Sequence, residues 1–439
     1  MNTYEVRTFG CQMNKHDSER ITGLLIAMGM TEAAEGVTPD VVVFNTCCVR
    51  EKADERLYGQ VSSLKAAKTA GLGTIIAVGG CIGQRDGAKL LSQLPHVDVV
   101  FGTHNIARLP ELLTAAAEQR DAVVEILEAG EGDFTSDLPT LREHAWHAWV
   151  PIAVGCNNFC TYCIVPHARG VPRGVPLAQV VAGAMALVNA GTREIVLTGI
   201  NVGRYRDATT GADLAALVGA VAATGIERLR LSSIEPPDLT REFLDTVTAA
   251  PAFCAHLHVP LQSGSDEVLA AMGRRYTAEQ FAQLIAGARK ALPGLTVTTD
   301  VIAGFPGETA RQADETRALC ERVGFTKLHV FRYSERAGTP AATMPGQVSP
   351  AVRSERAAAL RLTGDALRSR YLAGRIGGEA HVLIERGHKV DDSGARIAVG
   401  TSEDYVRVRV DGAEVSAGQV IAVRLLRSDG TLMVGEALE

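Results

Sequence analysis

The chain has 439 residues, 46% of them hydrophobic, which excludes an intrinsically disordered protein and allows two to four domains around sizeable cores. No apolar run is long enough to span a bilayer, and the start MNTYEVRTFGC has neither a basic region nor an apolar signal segment, so a cytoplasmic protein without a membrane partner is expected. A formal net charge of −6 argues against a globally basic nucleic-acid binder but leaves room for a local basic face.

From residue 4 to about 118, short apolar runs alternate with helical patterns: YEVRT, VVVFN, TIIAVGG and HVDVVFG are separated by HDSERITGLLIAMG, REKADERLYGQVSSLKAAK and the stretch from Gln84 to Leu94. Alternation of this kind predicts an α/β domain on a parallel sheet. Cys11 follows the first strand, Cys47 the second and Cys81 the third. In an open parallel sheet the carboxyl ends of the strands share one edge, where ligands bind, so three loops would bring three thiols to one place. Isolated cysteines usually act as small core hydrophobes, but three at the same point of successive βα units favour a cluster-binding set. Cys48, next to Cys47, should point elsewhere.

Residues 119 to 147 are acidic and weakly patterned, and are expected to form a linker with an edge strand. Residues 148 to 375 carry six strand candidates, WVPIAVG, EIVLTGI, RLRLSSI, HLHVPL, TVTTDVIAGF and KLHVFRY, separated by helical patterns. Six βα steps predict a partial β/α barrel with its chemistry at the carboxyl ends of the strands. From residue 376 to 439 the pattern turns to about five short strands with Gly and Asp turns, a small β-barrel of a class that often grips RNA. Alternation in YVRVR would put Tyr405, Arg407 and Arg409 on one face, either a solvated wall or an RNA surface.

Directly after the first barrel strand, GCNNFCTYC holds Cys156, Cys160 and Cys163 in a Cys-x3-Cys-x2-Cys run. Thiolates are the preferred ligands of iron–sulfur clusters, and a close run lets one loop wrap the cluster at little entropic cost. Zinc more often takes four ligands in two paired clips, and a plain cysteine-rich loop is the remaining alternative. Nine cysteines, an odd number, suit metal in a reducing compartment better than a disulfide framework. Three thiolates on a four-iron cluster leave one iron open to another ligand.

An open iron of this kind can bind the amino and carboxylate groups of S-adenosylmethionine, and the run resembles that of the radical S-adenosylmethionine superfamily. The resemblance extends over the chain: TFGCQMNKHDSE, NTCCVREKA, GGC, FGTHN, GCNNFCTYCIVP, HVPLQSGS, DVIAGFPGET and YSERAGTPAA are similar to the tRNA methylthiotransferases, whose carboxyl-terminal β-barrel is of the TRAM type. It implies two 4Fe-4S clusters, an auxiliary one on Cys11, Cys47 and Cys81 and a radical-generating one on Cys156, Cys160 and Cys163, with S-adenosylmethionine as the further cofactor. It also implies addition of a methylthio group at carbon 2 of a modified adenosine beside the anticodon of tRNA, the expected partner. The amino-terminal motifs resemble the members acting on isopentenyl-adenosine; LTGINVGRY, RLRLSSIEP and LHVFRYSERAGTPAA resemble those acting on threonylcarbamoyl-adenosine. The isopentenyl substrate is expected. A non-catalytic iron–sulfur RNA-binding sensor is the reading from another class. A monomer is expected, and the sequence names neither electron donor nor sulfur donor. RGVPRGVP departs from the Arg-Ser-Arg or Ser-Arg-Pro run common in relatives, leaving Arg169 and Arg173 without an assigned role.

Four further residues are candidates for cofactor binding. Gly304 and Gly307 belong to a Gly-rich turn, GFPGE, after the fifth barrel strand, where the backbone could approach an adenosyl group; Glu308 opens the following helix. Glu235 ends the RLRLSSIEP strand, where it could bind the amino acid or ribose part of the cofactor or pair with a barrel arginine. Gln262 and Ser263 sit at a similar strand end. His256 and His258 are expected to be satisfied interior histidines, and Cys254 and Cys320 structural.

Overall fold

A computed structural model describes residues 1–10, 12–47, 51–65, 68, 73–118, 121–127, 138–390, 396–412 and 414–438. Cys11 and Cys48 lie outside the described residues.

The amino-terminal part is a six-stranded parallel sheet in the order β2-β1-β3-β4-β5-β6, with β1 Thr3–Thr8, β2 Thr31–Glu32, β3 Val41–Thr46, β4 Ile75–Gly80, β5 Val99–Phe101 and β6 Val123–Glu125. Its inner strands VVVFNT and IIAVGG are buried along their whole length, as expected of runs rich in branched residues covered by helices on both faces. The edge strand β6 comes from the stretch read as a linker and pairs with β5.

The central part follows, with β7 His147–Val154, β8 Arg173–Gly174, β9 Glu194–Gly199, β10 Arg228–Leu231, β11 His256–His258, β12 Thr296–Ala303 and β13 Lys327–Arg332. The six strands expected from the sequence are β7 and β9 to β13; β8 is a two-residue addition antiparallel to β7. The sheets β10-β9-β7-β8 and β11-β12-β13 meet through single bridges, Leu229 with Phe253 and Ser233 with His258, so that the strands curve into a partial barrel. The helices around it carry local start signals: Thr277 with Gln280 and Thr309 with Gln312 form capping boxes at Ala278–Ala291 and Ala310–Val323.

The 25-residue helix Pro350–Gly374 ties this barrel to the last part. Ala357, Leu360 and Leu367 pack in the central core, whereas Leu372 belongs to the core of a closed five-stranded barrel. That barrel runs β14-β15-β16-β18-β17, with β14 Glu379–Val390, β15 Arg396–Ser402, β16 Arg407–Asp411, β17 Val420–Ser428 and β18 Met433–Ala437. Closure removes its free edges. Among the described residues no helix is long and apolar enough to cross a membrane.

Tyr405 precedes β16 at φ 62°, in the left-handed region, and like Arg407 it is exposed, with Val406 between them buried. That turn directs its ring to the central barrel, where it stacks on His256 at 4.8 Å with Arg230 5.0 Å from its centroid. Arg407 and Arg409 stay on the terminal barrel, the latter paired with Asp411 at 2.6 Å.

Two buried charge groups join the three parts. At the first seam Asp17, on helix Gln12–Ala27, pairs with Arg169, six residues past Cys163, at 3.0 Å. His16 places Nδ1 3.3 Å from Asp17, while its Nε2 meets no hydrogen-bonding partner among the described residues. At the second seam Glu194 accepts from Arg228 at 3.0 Å and Arg230 at 2.7 Å. Arg228 donates onward to the carbonyls of His381 and Thr401, and Arg230 to those of Glu403 and Ser402, all at 2.7–3.1 Å. Burial pushes the Glu194 carboxyl up, but the charges of Arg230 and Arg228 outweigh it and hold the group below its usual range.

Glu194→Gln would leave two buried guanidiniums without a counter-charge, at a cost of about 3–5 kcal/mol. A lower melting temperature and faster proteolysis at the junction near Gly377 and Gly378 are expected; a variant that melts like the wild type contradicts this account of the seam. Burial also lowers His16 to about 4, against 6.5 ordinarily, with its bond to Asp17 pulling the other way. A depressed histidine contributes stability that is full above the unfolded value and is lost as pH falls through the window toward about 4. Between pH 7 and pH 5 the loss is about 2 kcal/mol, so His16→Gln should flatten the fall in melting temperature over that window; an unchanged slope counts against it.

Candidate metal and cofactor site

Cys156, Cys160 and Cys163 lie on the loop that leaves β7 at the carboxyl end of the central strands. Gly155 opens it at φ 79°, with Val171 O 2.0 Å from where a β-carbon would sit, so only glycine permits this approach of the two backbone segments. Cys156 N–H donates to Gly170 O, and Cys163 N–H to Cys160 O, both at 2.9 Å. Thr161 anchors the middle of the loop: its N–H donates to Met272 O and its carbonyl accepts from Ala341 N–H. Phe159 takes φ 46° and is 63% exposed, a strained and open apolar side chain between two candidate ligands.

The sulfurs have hydrogen-bond donors. Asn158 N–H donates to Cys156 Sγ at 3.4 Å and Arg274 Nη1 to Cys160 Sγ at 3.3 Å. Burial raises the Cys156 thiol; Cys163, only half-buried as a residue, has its sulfur packed closely enough to push its thiol up to about 12. Such thiols ionise when a metal takes them as ligands. Cys156, Cys160, Cys163, Cys254 and Cys320 carry free thiols. Among the described residues no three His, Cys, Asp or Glu side chains are close enough to hold a single ion. A close run of thiols with N–H···S donors is a ligand set of the kind that iron–sulfur clusters take.

The sequence reading offered Glu235 two roles, and the structure pairs it with Arg274, whose guanidinium spans from Glu235 to Cys160. Arg274 is a residue the sequence reading missed; its only signal was an arginine in the loop after a short helix. Phe305, within the GFPGE turn, faces Tyr162 edge-on at 6.5 Å, which brings this turn beside the cysteine loop. Within the turn Glu308 accepts from Gly304 N–H and from Arg356, both at 2.8 Å, and Gly307 N–H donates to Gly346 O. Glu308 thus holds the turn in shape. Gly304, at φ 76°, lies against Arg353, whereas a β-carbon on Gly307 would meet open space. Gln262, at φ 69°, bridges to β12 through Asp300 O and Ile302 N–H. Ser263 turns inward to Thr316. His256 and His258 both bond Thr298 Oγ1, in keeping with interior roles.

In the amino-terminal sheet, Asn45 and Thr46 of β3 pair with Gly79 and Gly80 of β4, which puts Cys47 and Cys81 side by side at the carboxyl edge. Both are buried. Ile82 N–H donates to Thr46 Oγ1, fixing the turn into helix Cys81–Asp86. A β-carbon on Gly10 would lie 2.3 Å from Cys47 Cβ and 2.7 Å from its Sγ, so the loop after β1 runs directly over Cys47. Cys11 itself lies outside the described residues.

This edge faces the cysteine loop of the central barrel. Cys81 shares a core cluster with Ile164, next after Cys163, and with Ala168 of the following helix, whose carbonyl accepts from Thr103 Oγ1 at 3.0 Å. Beside the loop opens a cavity of about 1590 Å³, lined by Cys163, Tyr162, Gln262, Arg361, Tyr405 and Arg407 among others, and hence by both the central and terminal barrels. Pockets for small ligands run to about 1,000 Å³. The space suits part of a larger molecule.

The uncharacterized protein family UPF0004 matches residues 3–102, and the radical SAM superfamily matches residues 150–320. The tRNA-2-methylthio-N(6)-dimethylallyladenosine synthase of Thermobifida fusca is 45% identical over 430 residues, covering 96% of this chain and 86% of that protein. The protein of the same name from Corynebacterium jeikeium is 43% identical, covering 96% and 84%. Among solved structures, the radical S-adenosylmethionine methyltransferase TsrM from Kitasatospora setae, with cobalamin and a 4Fe-4S cluster bound, has a TM-score of 0.55 at 16% identity, covering 78% of this chain and 77% of its own. The cobalamin-dependent S-adenosylmethionine radical enzyme OxsB has a TM-score of 0.50 at 13% identity, covering 84% and 56%. Both are likenesses of fold.

Gly10→Ala, at φ 117° and with a β-carbon driven onto Cys47, should displace that side chain. In the metal-free, reduced protein Cys47 is then expected to alkylate with maleimide several-fold faster, as read by peptide mass mapping; equal rates would contradict the close approach.

Proposed function

The chain belongs to the family of tRNA-2-methylthio-N(6)-dimethylallyladenosine synthases, and from that membership we propose that it adds a methylthio group at carbon 2 of isopentenyl-adenosine beside the anticodon of tRNA. The dimethylallyl group named in those relatives is the isopentenyl group. The family is a radical S-adenosylmethionine family, with a 4Fe-4S cluster and S-adenosylmethionine as its cofactors.

In this reading Cys156, Cys160 and Cys163 hold the cluster that meets S-adenosylmethionine, and Cys11, Cys47 and Cys81 hold a second one. When bound, the first supplies a radical able to break an aromatic C–H bond, a step outside the reach of side-chain acids and bases. The chain's own residues bind and shield. Glu235, Gly304, Gly307 and Glu308 at the carboxyl end of the barrel would hold S-adenosylmethionine, Glu308 acting through the shape of the turn and Glu235 through its contact with Arg274. Asp17 and Arg169 hold the two cysteine edges together. The observation that carries the reading is the packing of Cys81 against Ile164, next to the loop whose Cys163 lines one large cavity.

The terminal barrel and helix Pro350–Gly374 add Arg361, Arg368 and Arg407 to the cavity wall, cations suited to phosphates of the tRNA although the whole chain is acidic. A reading on threonylcarbamoyl-adenosine has no observation of its own beyond the central motifs. The relatives' common name, a synthase, favours catalysis over a sensor.

Anaerobically reconstituted protein given S-adenosylmethionine, a reductant and tRNA should yield 2-methylthio-isopentenyl-adenosine by nucleoside mass spectrometry, and no product from tRNA bearing threonylcarbamoyl-adenosine. The reverse pattern would overturn the substrate. Cys47→Ala with Cys81→Ala is expected to halve bound iron and abolish methylthio product while cleavage of S-adenosylmethionine continues; loss of all iron from that variant would contradict two separate clusters.

A further inference from the structure

We infer that Arg274 tunes the reduction potential of the cluster held by Cys160, raising it through a hydrogen bond to the ligating sulfur, with Glu235 as the counter-charge that limits the effect. The inference rests on the reading of Cys156, Cys160 and Cys163 as cluster ligands.

Arg274 is placed for this by its local structure. Helix Asp266–Ala271 ends at Met272, Gly273 takes φ 75°, and a β-carbon there would sit 3.8 Å from Cys160 Cα, so the chain turns directly against the cysteine loop. Arg274 N–H donates back to Leu269 O at 2.8 Å. Its side chain, 4% exposed, then runs under the loop. Nη1 donates to Cys160 Sγ at 3.3 Å, Nη2 to Glu235, and Nε to Tyr276 OH at 3.0 Å, with the guanidinium 5.1 Å from the Tyr276 ring centroid. The Tyr276 hydroxyl lies 3.0 Å from both Pro260 O and Leu261 O, which locks the whole arrangement to β11 and its exit. A guanidinium with each arm assigned cannot swing away from the sulfur.

A cluster gains one negative charge when reduced. A donor aimed at its sulfur, and a positive charge buried beside it, stabilise the reduced form more than the oxidised one and so raise the potential. Burial strengthens the interaction because little water screens it. Glu235 opposes it with a negative charge paired to the same guanidinium. The two residues should therefore shift the potential in opposite directions, which a merely structural role for either would not do. Arg274 is a positioning and tuning residue here.

The test uses the full-length, anaerobically reconstituted protein, with iron and sulfide counted and the midpoint read by EPR-monitored redox titration without S-adenosylmethionine. The signal to follow is the one that S-adenosylmethionine perturbs in the wild type. Arg274→Gln should move that midpoint to more negative potential and Glu235→Gln to more positive, each at wild-type iron content. Should Arg274→Gln lose iron, Glu235→Gln and Arg274→Lys decide. A midpoint unmoved by Glu235→Gln, or by Arg274→Gln at full iron, overturns the inference alone. A wild type with iron but no signal responsive to S-adenosylmethionine overturns the underlying cluster reading and this inference with it.

Discussion

Glu194 holds two arginines from one strand of the central barrel, and those arginines hold the terminal barrel. Arg228 and Arg230 alternate along β10 and so emerge on the same face, where a single carboxylate can serve both. Their four outward N–H groups take carbonyls of His381, Thr401, Ser402 and Glu403, backbone acceptors that a closed barrel leaves free at a strand end. Buried charge is costly unless it is fully partnered. Here the partnering itself defines the docking angle, because guanidinium forks accept only a narrow geometry. Tyr405, just before β16, stacks on His256 with Arg230 against its ring and so completes the same joint. The large cavity exists because of this angle: its walls come from both barrels and from the helix that links them.

The opposite seam follows similar physics with a different purpose. Asp17 and Arg169 are almost fully buried, one on the helix after the first strand of the amino-terminal sheet, the other just beyond the cysteine loop. Around them Cys81, Ile164 and Ala168 share apolar packing. A polar pair inside an apolar seam specifies one register, since sliding either part would strand a charge. This is a role for Arg169 that the motif around it did not suggest. Two parallel-strand edges, each carrying cysteines, are thereby fixed face to face.

Arg274 shows how a site can depend on a residue whose type and position give no local hint of its use. It touches a candidate cluster ligand, a candidate cofactor ligand and a tyrosine that is itself bonded to the barrel. Charge, sulfur and backbone are joined in one chain of contacts, so the electronics of the loop and the stability of its support are coupled.

Much of this was legible in the residues. Alternating apolar runs and helical patterns specified the three parts, because a strand buried on both faces needs a continuous apolar run and a half-buried one needs alternation, and both are written locally. The cysteine placements were also local: three in one loop, and others directly after successive strands, where parallel topology gathers them. The motifs along the chain pointed to the family that the relatives then supported. What the sequence left open were contacts between residues far apart: Arg274 with Cys160 and Glu235, Asp17 with Arg169, Glu194 with the two arginines that seat the last barrel, and Tyr405 with His256. Periodicity reports only which way a side chain points from its own element. Which distant partner it meets is decided by how the elements pack, and buried charges settle that packing only once the chain has folded around them.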